Sequence, residues 1–125
     1  MIIDNMQLLH EFKNLVSNLY FQVFLWAVIA DILTGLAKGF KGKTSNSTKG
    51  LSGLVKHLLV VMLVTIAYPY LKILGLENIA TAFVFFYIAT YGISITENLD
   101  QLGVKVPGWI KSRLEKIKDE VNNEK

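Results

Sequence analysis

Two acidic residues stand in unusual places in this sequence and are the first candidates for chemistry. Asp31 lies well inside an apolar stretch at residues 19–37, and Glu97 ends another at residues 79–96. A carboxylate within such a stretch is costly, so its presence needs a structural or a functional reason. Two acids are also what an intramembrane aspartyl protease would use, but no catalytic motif surrounds either one. The sequence therefore predicts a polar site in a protein that is not an enzyme.

Small and polar residues accompany Asp31. Ala27, Asp31 and Gly35 recur every four residues, which places them on one face of a helix, and Thr34 lies beside them. Small residues let helices approach closely, and a carboxylate on such a face would point into a helix bundle. Two interpretations stay open. The group lines a pore or controls assembly, or it is a structural acid satisfied by a nearby base: Lys38, Lys56 or His57.

Hydroxyl groups lead toward Glu97 on the last apolar stretch. Thr90, Tyr91, Ser94 and Glu97 follow one another along a stripe, from which they could bond to a neighbouring helix or line water. Glu97 lies near the membrane interface, so simple solvation is the competing interpretation. The candidate assembly or pore residues are then Asp31, Thr34, Gly35, Thr90, Tyr91, Ser94 and Glu97.

Other chemistries lack the residues that they require. The chain has no cysteine, which excludes disulfides and thiol catalysis. Its two histidines, His10 and His57, lack the spacing of metal ligands. No strand is evident, so no glycine-rich phosphate-binding loop is predicted. Gly35 and Gly39 form a G-x-x-x-G pair, but this pattern is common by chance and here it straddles the membrane edge. We expect no metal and no cofactor.

Three apolar runs dictate the fold class. Hydrophobic residues make up 52% of the 125 residues, and they are gathered in runs instead of being spread with a helical or strand period. About 20 such residues cross a bilayer as a helix. The runs predict transmembrane helices at 17–37, 54–76 and 79–97, within one domain that covers residues 1–125.

The second span is the weakest of the three predictions. Its uncharged core, residues 58–71, is short for a membrane-spanning helix. It can cross if Lys56 and Lys72 extend to the two interfaces or if the bilayer thins locally. Pro69 lies near one end, where it should kink the helix by removing one backbone hydrogen bond.

Amphipathic segments flank the spans. In residues 1–16 apolar side chains recur every three or four residues and Asp4 is a potential cap, which predicts a helix on the membrane surface or a lead-in to the first span. In residues 98–125, beyond Pro107, a narrow apolar seam steps along a charged helix at Ile110, Leu114, Ile117 and Val121. This seam either self-associates or touches lipid headgroups. The predicted fold is an all-α integral membrane protein with three transmembrane helices, an N-terminal amphipathic helix and a C-terminal charged amphipathic helix.

Basic residues determine the expected orientation. The loop at 38–53 and the tail at 98–125 hold most of them, and three spans place both segments on one side. The positive-inside rule puts that side in the cytoplasm and the N-terminus outside. The net charge of +3 is small, which favours anionic phospholipid over nucleic acid as the partner. Candidate headgroup contacts are Lys38, Lys41, Lys43, Lys49, Lys56, Lys111 and Arg113.

Several segments together resemble one family. Residues 31–35 read D-I-L-T-G and are followed by lysines, and residues 92–98 read G-I-S-I-T-E-N. Residues 102–104 read L-G-V, and Val106-Pro107 precedes the charged helix. In this order they resemble the bacteriophage holins of the toxin-secretion and phage-lysis type, over residues 27–117. Members often carry an acid three residues before the serine of the S-I-x-E-N segment, whereas this chain has Tyr91 there.

The resemblance implies a function. Such holins are not enzymes; they accumulate in the bacterial cytoplasmic membrane, oligomerise and open lesions. An endolysin, which is a peptidoglycan hydrolase, or a toxin then crosses without needing to touch the holin. The alternatives from the residues alone are an accessory or anchoring subunit of a larger membrane complex and a small ion channel. Polar stripes without a partner inside one chain would suit self-assembly.

Overall fold

The computed structural model describes residues 4–42 and 47–123, and these residues form five helices and no strand. The helices are α1 (Asn5–Ser17), α2 (Leu19–Gly42), α3 (Ser47–Ile73), α4 (Glu77–Gln101) and α5 (Gly108–Asn123). Three of them, α2, α3 and α4, are long and apolar enough to cross a membrane. The predicted all-α membrane fold with its two flanking helices is confirmed.

Side-chain caps separate α1 from α2. Asp4 begins α1, because its carboxylate accepts a hydrogen bond from the backbone N–H of Met6 at 2.9 Å. Asn18 lies between the two helices, and its side-chain oxygen accepts from the N–H of Phe21 at 3.1 Å. The first span therefore begins at Leu19 and not at residue 17.

The first helix packs back on the bundle. Leu15 is buried against the other helices, and Glu11 lies 3.3 Å from Lys72 at the end of α3. Another apolar row of α1, containing Met6 and Val16, is exposed. A helix with one packed face and one exposed apolar face is suited to lie at a membrane surface. Ile2 and Ile3, which contributed to that prediction, lie outside the described residues.

Two glycines reverse the chain after the second and third spans. Gly75 has a φ of 78° and Gly103 a φ of 89°, which is the left-handed region that glycine adopts without steric cost. In each turn the next residue donates its N–H to a carbonyl five residues back, at 2.8 Å, from Leu76 to Leu71 and from Val104 to Leu99. This bond belongs to the Schellman motif that ends a helix.

The centre of the molecule is α4, which contacts α2, α3 and α5. Phe24 of α2, Val64 of α3 and Val84 of α4 are completely buried and fill the space between the spans. The Phe24 ring also meets Tyr87 edge-on, with 6.3 Å between ring centroids. Ile79 is the only large apolar side chain of α4 that is exposed, because other helices cover α4 on three sides.

The helices α2 and α3 present wide apolar faces outward. Trp26 on α2 is 70% exposed and Leu58 on α3 is 60% exposed, although both lie inside apolar runs. A soluble protein would bury side chains like these, whereas a membrane protein can leave them against lipid. The outer faces of α2 and α3 are therefore available to lipid or to another copy.

Several helix ends differ from the sequence predictions. α2 continues to Gly42 and α3 begins at Ser47, so the predicted basic loop at 38–53 was too long. Glycine costs about 1 kcal/mol relative to alanine in a helix and serine less, and neither breaks a helix as proline does, so these segments can continue the helices. α3 ends at Ile73 and α4 runs to Gln101, against predicted ends at 76 and 97. The segment 43–46 lies outside the described residues.

The second span, which was the weakest prediction, is the longest helix of the five. Pro69 lies inside it and is fully buried, and the helix continues for four residues beyond it to Ile73. Lys56 is exposed near its start, and Lys72 forms its contact with Glu11 near its end.

The last helix does not extend as a free tail. α5 runs antiparallel to α4. Lys111, Leu114 and Lys118 of α5 contact Glu97, Gly92 and Phe86 of α4, in that order. Lys111 lies 3.5 Å from Glu97, and the Lys118 ammonium lies 5.9 Å from the ring centre of Phe86. The apolar seam thus faces the same chain, which neither prediction for the tail included. A seam pattern shows that a helix has an apolar face but not which helix covers it.

Candidate functional site

The candidate site is a buried polar cluster at the meeting point of the three spans. Asp31 of α2 is only 7% exposed and lies opposite α4. Its Oδ1 atom accepts a hydrogen bond from Ser94 Oγ at 2.6 Å and another from Asn98 Nδ2 at 3.1 Å. Hydrogen bonds to a carboxylate are among the stronger ones in proteins. They join α2 to α4 inside an otherwise apolar interface.

His57 brings α3 into the cluster. Its Nε2 atom lies 3.8 Å from Asp31 Oδ2, and its Nδ1 atom forms a hydrogen bond with the Tyr91 hydroxyl at 2.9 Å. The Tyr91 ring is itself buried and meets Phe24 edge-on. His57 is therefore the basic residue nearest Asp31, of the three that the sequence offered.

Asn98 extends the cluster along the α2–α4 interface. Its amide nitrogen donates to Thr34 Oγ1 at 3.0 Å as well as to Asp31, so both of its protons have an acceptor. The Thr34 hydroxyl donates to the Ala30 carbonyl at 2.8 Å. Gly35 lies beside it, where an added Cβ would come 3.8 Å from the Asn98 amide nitrogen.

The expectation that the polar stripes have no partner within one chain is wrong. Asp31, Thr34, Tyr91 and Ser94 all bond to other spans of the same chain. The helices can do this because the carboxylate of α2 and the hydroxyls of α4 occupy the same depth in the bundle. A polar group in lipid takes the partner that it can reach, and here the nearest one lies on the next helix.

Two other residues of the predicted stripe lie apart from the cluster. Thr90 donates to the carbonyl of Phe86 in its own helix at 2.8 Å, which satisfies its hydroxyl locally. Glu97 is about half exposed and contacts Lys111 of α5. It also lines a cleft of ≈ 370 Å³ at the turn between α4 and α5, together with Thr96 and Asp100.

Sequence reasoning did not include His57 and Asn98 among the site residues. His57 was named only as one of three bases that could satisfy Asp31, and Asn98 only as part of the segment that resembles the family. The signal that would have found Asn98 is its spacing, because it follows Tyr91 by seven residues and Ser94 by four. Residues at these spacings share one helix face.

The geometry does not activate a nucleophile. A catalytic serine needs a histidine that takes its proton, but the Ser94 hydroxyl donates to Asp31, while His57 faces Tyr91 and Asp31. In the part of the chain that the structure describes, no group of three potential ligands has the arrangement of a metal site. The cluster ties helices together in a region where unpaired polar groups are costly.

The candidate headgroup contacts lie mostly near the connections between helices. Lys41 and Lys56 are exposed, and the Lys41 ammonium donates to the Gln101 carbonyl at 3.3 Å. Lys38 and Lys111 are half-buried, and Arg113 is exposed on α5. Lys49 belongs to the first turn of α3, and Lys43 lies outside the described residues.

Comparison with known proteins identifies the family. A model of the bacteriophage holin family matches residues 13–119, which include the whole polar cluster. The chain belongs to the bacteriophage holin family. A probable holin of Bacillus phage phi105 is 40% identical over 102 residues, which cover 81% of this chain and 76% of that protein. No solved structure matches the chain.

Other relatives of this holin-family chain come from bacteria. The uncharacterized protein YqxH of Bacillus subtilis is 40% identical over 107 residues, covering 85% of this chain and 76% of that protein. An uncharacterized 14.9 kDa protein of Clostridium perfringens is 39% identical over 100 residues, covering 78% and 73%. The family and the three apolar helices make the chain a multi-pass membrane protein, and the family points to a non-enzymatic role as a holin.

Proposed function

We propose that this protein assembles into homo-oligomers in the bacterial cytoplasmic membrane and permeabilises it, so that an endolysin reaches the cell wall during host lysis. Its membership of the holin family and its likeness to a probable phage holin support the proposal. The peptidoglycan hydrolase is a functional partner that need not bind the holin. A toxin is a second candidate cargo for the same lesion.

The packing of the three spans is the observation that carries this proposal. Phe24, Val64 and Val84 are completely buried where α2, α3 and α4 meet, so side chains fill the centre of a single chain. A filled bundle of three helices leaves no room for a passage that ions or proteins could use. Permeabilisation therefore requires several copies, and the apolar outer faces of α2 and α3 are the surfaces on which copies can meet.

The polar cluster explains how a single copy can lie in the membrane without permeabilising it. Asp31 is buried and accepts a hydrogen bond from Ser94 inside the chain, so neither group needs a partner from a second copy. Assembly becomes favourable only when contacts between copies replace these internal ones. Internal contacts therefore stabilise the single chain, and contacts between copies stabilise the assembled lesion.

The proposed orientation has the N-terminus outside and the C-terminus in the cytoplasm. Lys41 and Lys56 at the hairpin between α2 and α3, and Lys105 in the turn after α4, lie at the same end of the bundle. The positive-inside rule places that end in the cytoplasm, where anionic phospholipid is available to the lysines.

Induced expression in a bacterial host, without any phage partner, tests the proposed function. We expect growth to stop abruptly and the membrane potential to collapse, and cells that also produce a peptidoglycan hydrolase to lyse at that moment. A chain that ends at Asn18 and lacks all three spans controls for the burden of expression. Cells that tolerate the full chain at high membrane levels would favour an accessory subunit and contradict the proposal.

The same cells report the orientation, because the chain has no cysteine of its own. Before growth stops, a single cysteine at Asn5 should react with an impermeant thiol reagent, and one at Lys105 should be shielded. Reaction at Lys105 but not at Asn5 would reverse the proposed orientation.

A further inference from the structure

The position of α5 along α4 determines how deep the last helix lies. The contacts run from Lys111 and Glu97 near the turn to Lys118 and Phe86 farther along. Between them, Leu114 packs on Gly92, where an added Cβ would come 3.0 Å from Leu114 Cδ1. The absence of a side chain at Gly92 therefore lets α5 approach α4 closely.

A helix that follows α4 this far enters the bilayer. Phe86 precedes Gln101, the end of α4, by fifteen residues, or about 22 Å at the helical rise. The hydrocarbon layer is about 30 Å thick. If α4 spans it, the second half of α5 lies beside the middle of the membrane.

The outer face of α5 is charged along the helix, including its second half. Five ionisable side chains on that face are exposed: Arg113, Glu115, Lys116, Asp119 and Glu120. None of them belongs to the three ion pairs that the described residues form with one another. Lipid tails cannot solvate such a face, and side chains near the middle of the bilayer are too short to reach either interface.

We propose that α5, docked on α4 as it is here, forms the water-facing wall of the assembled lesion, whereas in an unassembled copy it lies in the cytoplasm beside the lipid headgroups. Its seam of Ile110, Leu114, Ile117 and Val121 covers α4, and its charged face meets water. This inference rests on the proposed function, since water reaches that depth only when copies have opened a passage. It goes beyond the two predictions for the seam, which were self-association and contact with lipid headgroups.

A disulfide between α4 and α5 tests whether the docked state conducts. Cysteines at Gly92 and Leu114 are close enough for a bridge, because a Cβ at residue 92 would lie 3.6 Å from Leu114 Cγ. Replacing Leu114 also removes the side chain with which the new Cβ would clash. The double variant, reconstituted in dye-loaded vesicles of anionic phospholipid, is compared in its oxidised and reduced forms.

We expect the oxidised double variant to release dye as fully as the reduced one. Release by the reduced form that is lost on oxidation would show that α5 must leave α4, and would overturn the inference while leaving the proposed function intact. Absence of release by the unmodified protein would instead count against the proposed function itself.

Modification of single cysteines keeps the inference testable if the double variant inserts poorly. Lys116→Cys lies on the outer face of α5, and Lys13→Cys is its control on α1, where the lysine is also exposed. A bulky, water-soluble thiol reagent added to already permeable vesicles should stop further release through Lys116→Cys protein and leave the Lys13→Cys protein active. Equal release by the two modified proteins would overturn the inference.

Discussion

At the scale of single residues, the cost of a charge in the membrane explains the geometry around Asp31. The carboxylate is surrounded by Ser94, Asn98 and His57, one or more from each of the other spans. Leaving a buried donor without an acceptor costs about 1–3 kcal/mol, so each of these contacts favours the packed chain over a loosened one. The same groups become available to another copy once they are released.

Substitution of Asp31 by asparagine tests this balance. In Asp31→Asn the new side chain keeps an oxygen for Ser94 and Asn98 but places an amide donor where the second oxygen faces His57. This change should weaken the cluster by about 1 kcal/mol. We expect normal insertion and an earlier onset of lysis in induced cells, because a loosened polar group bonds to other copies.

Asp100→Asn is the matched control for Asp31→Asn. It removes the same charge from an exposed position near the end of α4, outside the cluster. We expect its onset of lysis to match that of the unmodified protein. If Asp31→Asn accumulates to the same membrane level and lyses on the unmodified schedule, the carboxylate has only a structural role.

At the scale of helices, the sequence was most informative about the spans themselves. Runs of about 20 apolar residues have few alternatives to a membrane helix, so all three helices were predicted, although their ends differ from the prediction by up to seven residues. Gly75 ends α3 through its backbone conformation rather than through a change in polarity, so the predicted end at residue 76 lay three residues too late.

The docking of α5 could not be read from the sequence. The seam at Ile110, Leu114, Ile117 and Val121 predicts an apolar face, and a face of that kind fits a second copy, a lipid surface or α4 equally well. Docking on α4 depends on Gly92, which is distant from Leu114 in the sequence. No sequence pattern links these two residues. His57 was one of three bases offered as a partner for Asp31, but its hydrogen bond with Tyr91 was not predicted, because Tyr91 lies on another helix.

A pair of glycine substitutions measures how closely α5 must approach α4. Gly92→Ala places a Cβ 3.0 Å from Leu114, and crowding of this kind typically costs about 1–3 kcal/mol. Gly35→Ala is the control, since its nearest contact is 3.8 Å away at Asn98 and both changes gain the same helix propensity.

We therefore expect Gly92→Ala to loosen α5 and Gly35→Ala to leave it in place. Proteolysis in detergent micelles provides the readout, because a loosened α5 is cleaved faster between residues 108 and 123. Equal cleavage rates for the two variants would mean that α5 does not depend on close contact at Gly92.

At the scale of the whole molecule, the three spans form a bundle that is stable as a single copy, and we expect permeabilisation only when many copies are present. Internal partners satisfy the buried carboxylate, and Phe24 closes the centre of the bundle. The wide apolar faces of α2 and α3 suit lipid when copies are few and one another when copies are many. Such a protein needs no ligand to act, only a sufficient density in the membrane.

Dye release from sealed vesicles of anionic phospholipid, measured as purified protein is added in increasing ratio to lipid, tests this account most directly. Because one filled bundle has no passage, the account predicts almost no release at low ratio and a steep, greater-than-proportional rise above a threshold, with no other protein present. Release proportional to protein from the lowest ratio would show that a single chain conducts, and no release at any ratio would show that the protein does not permeabilise membranes by itself.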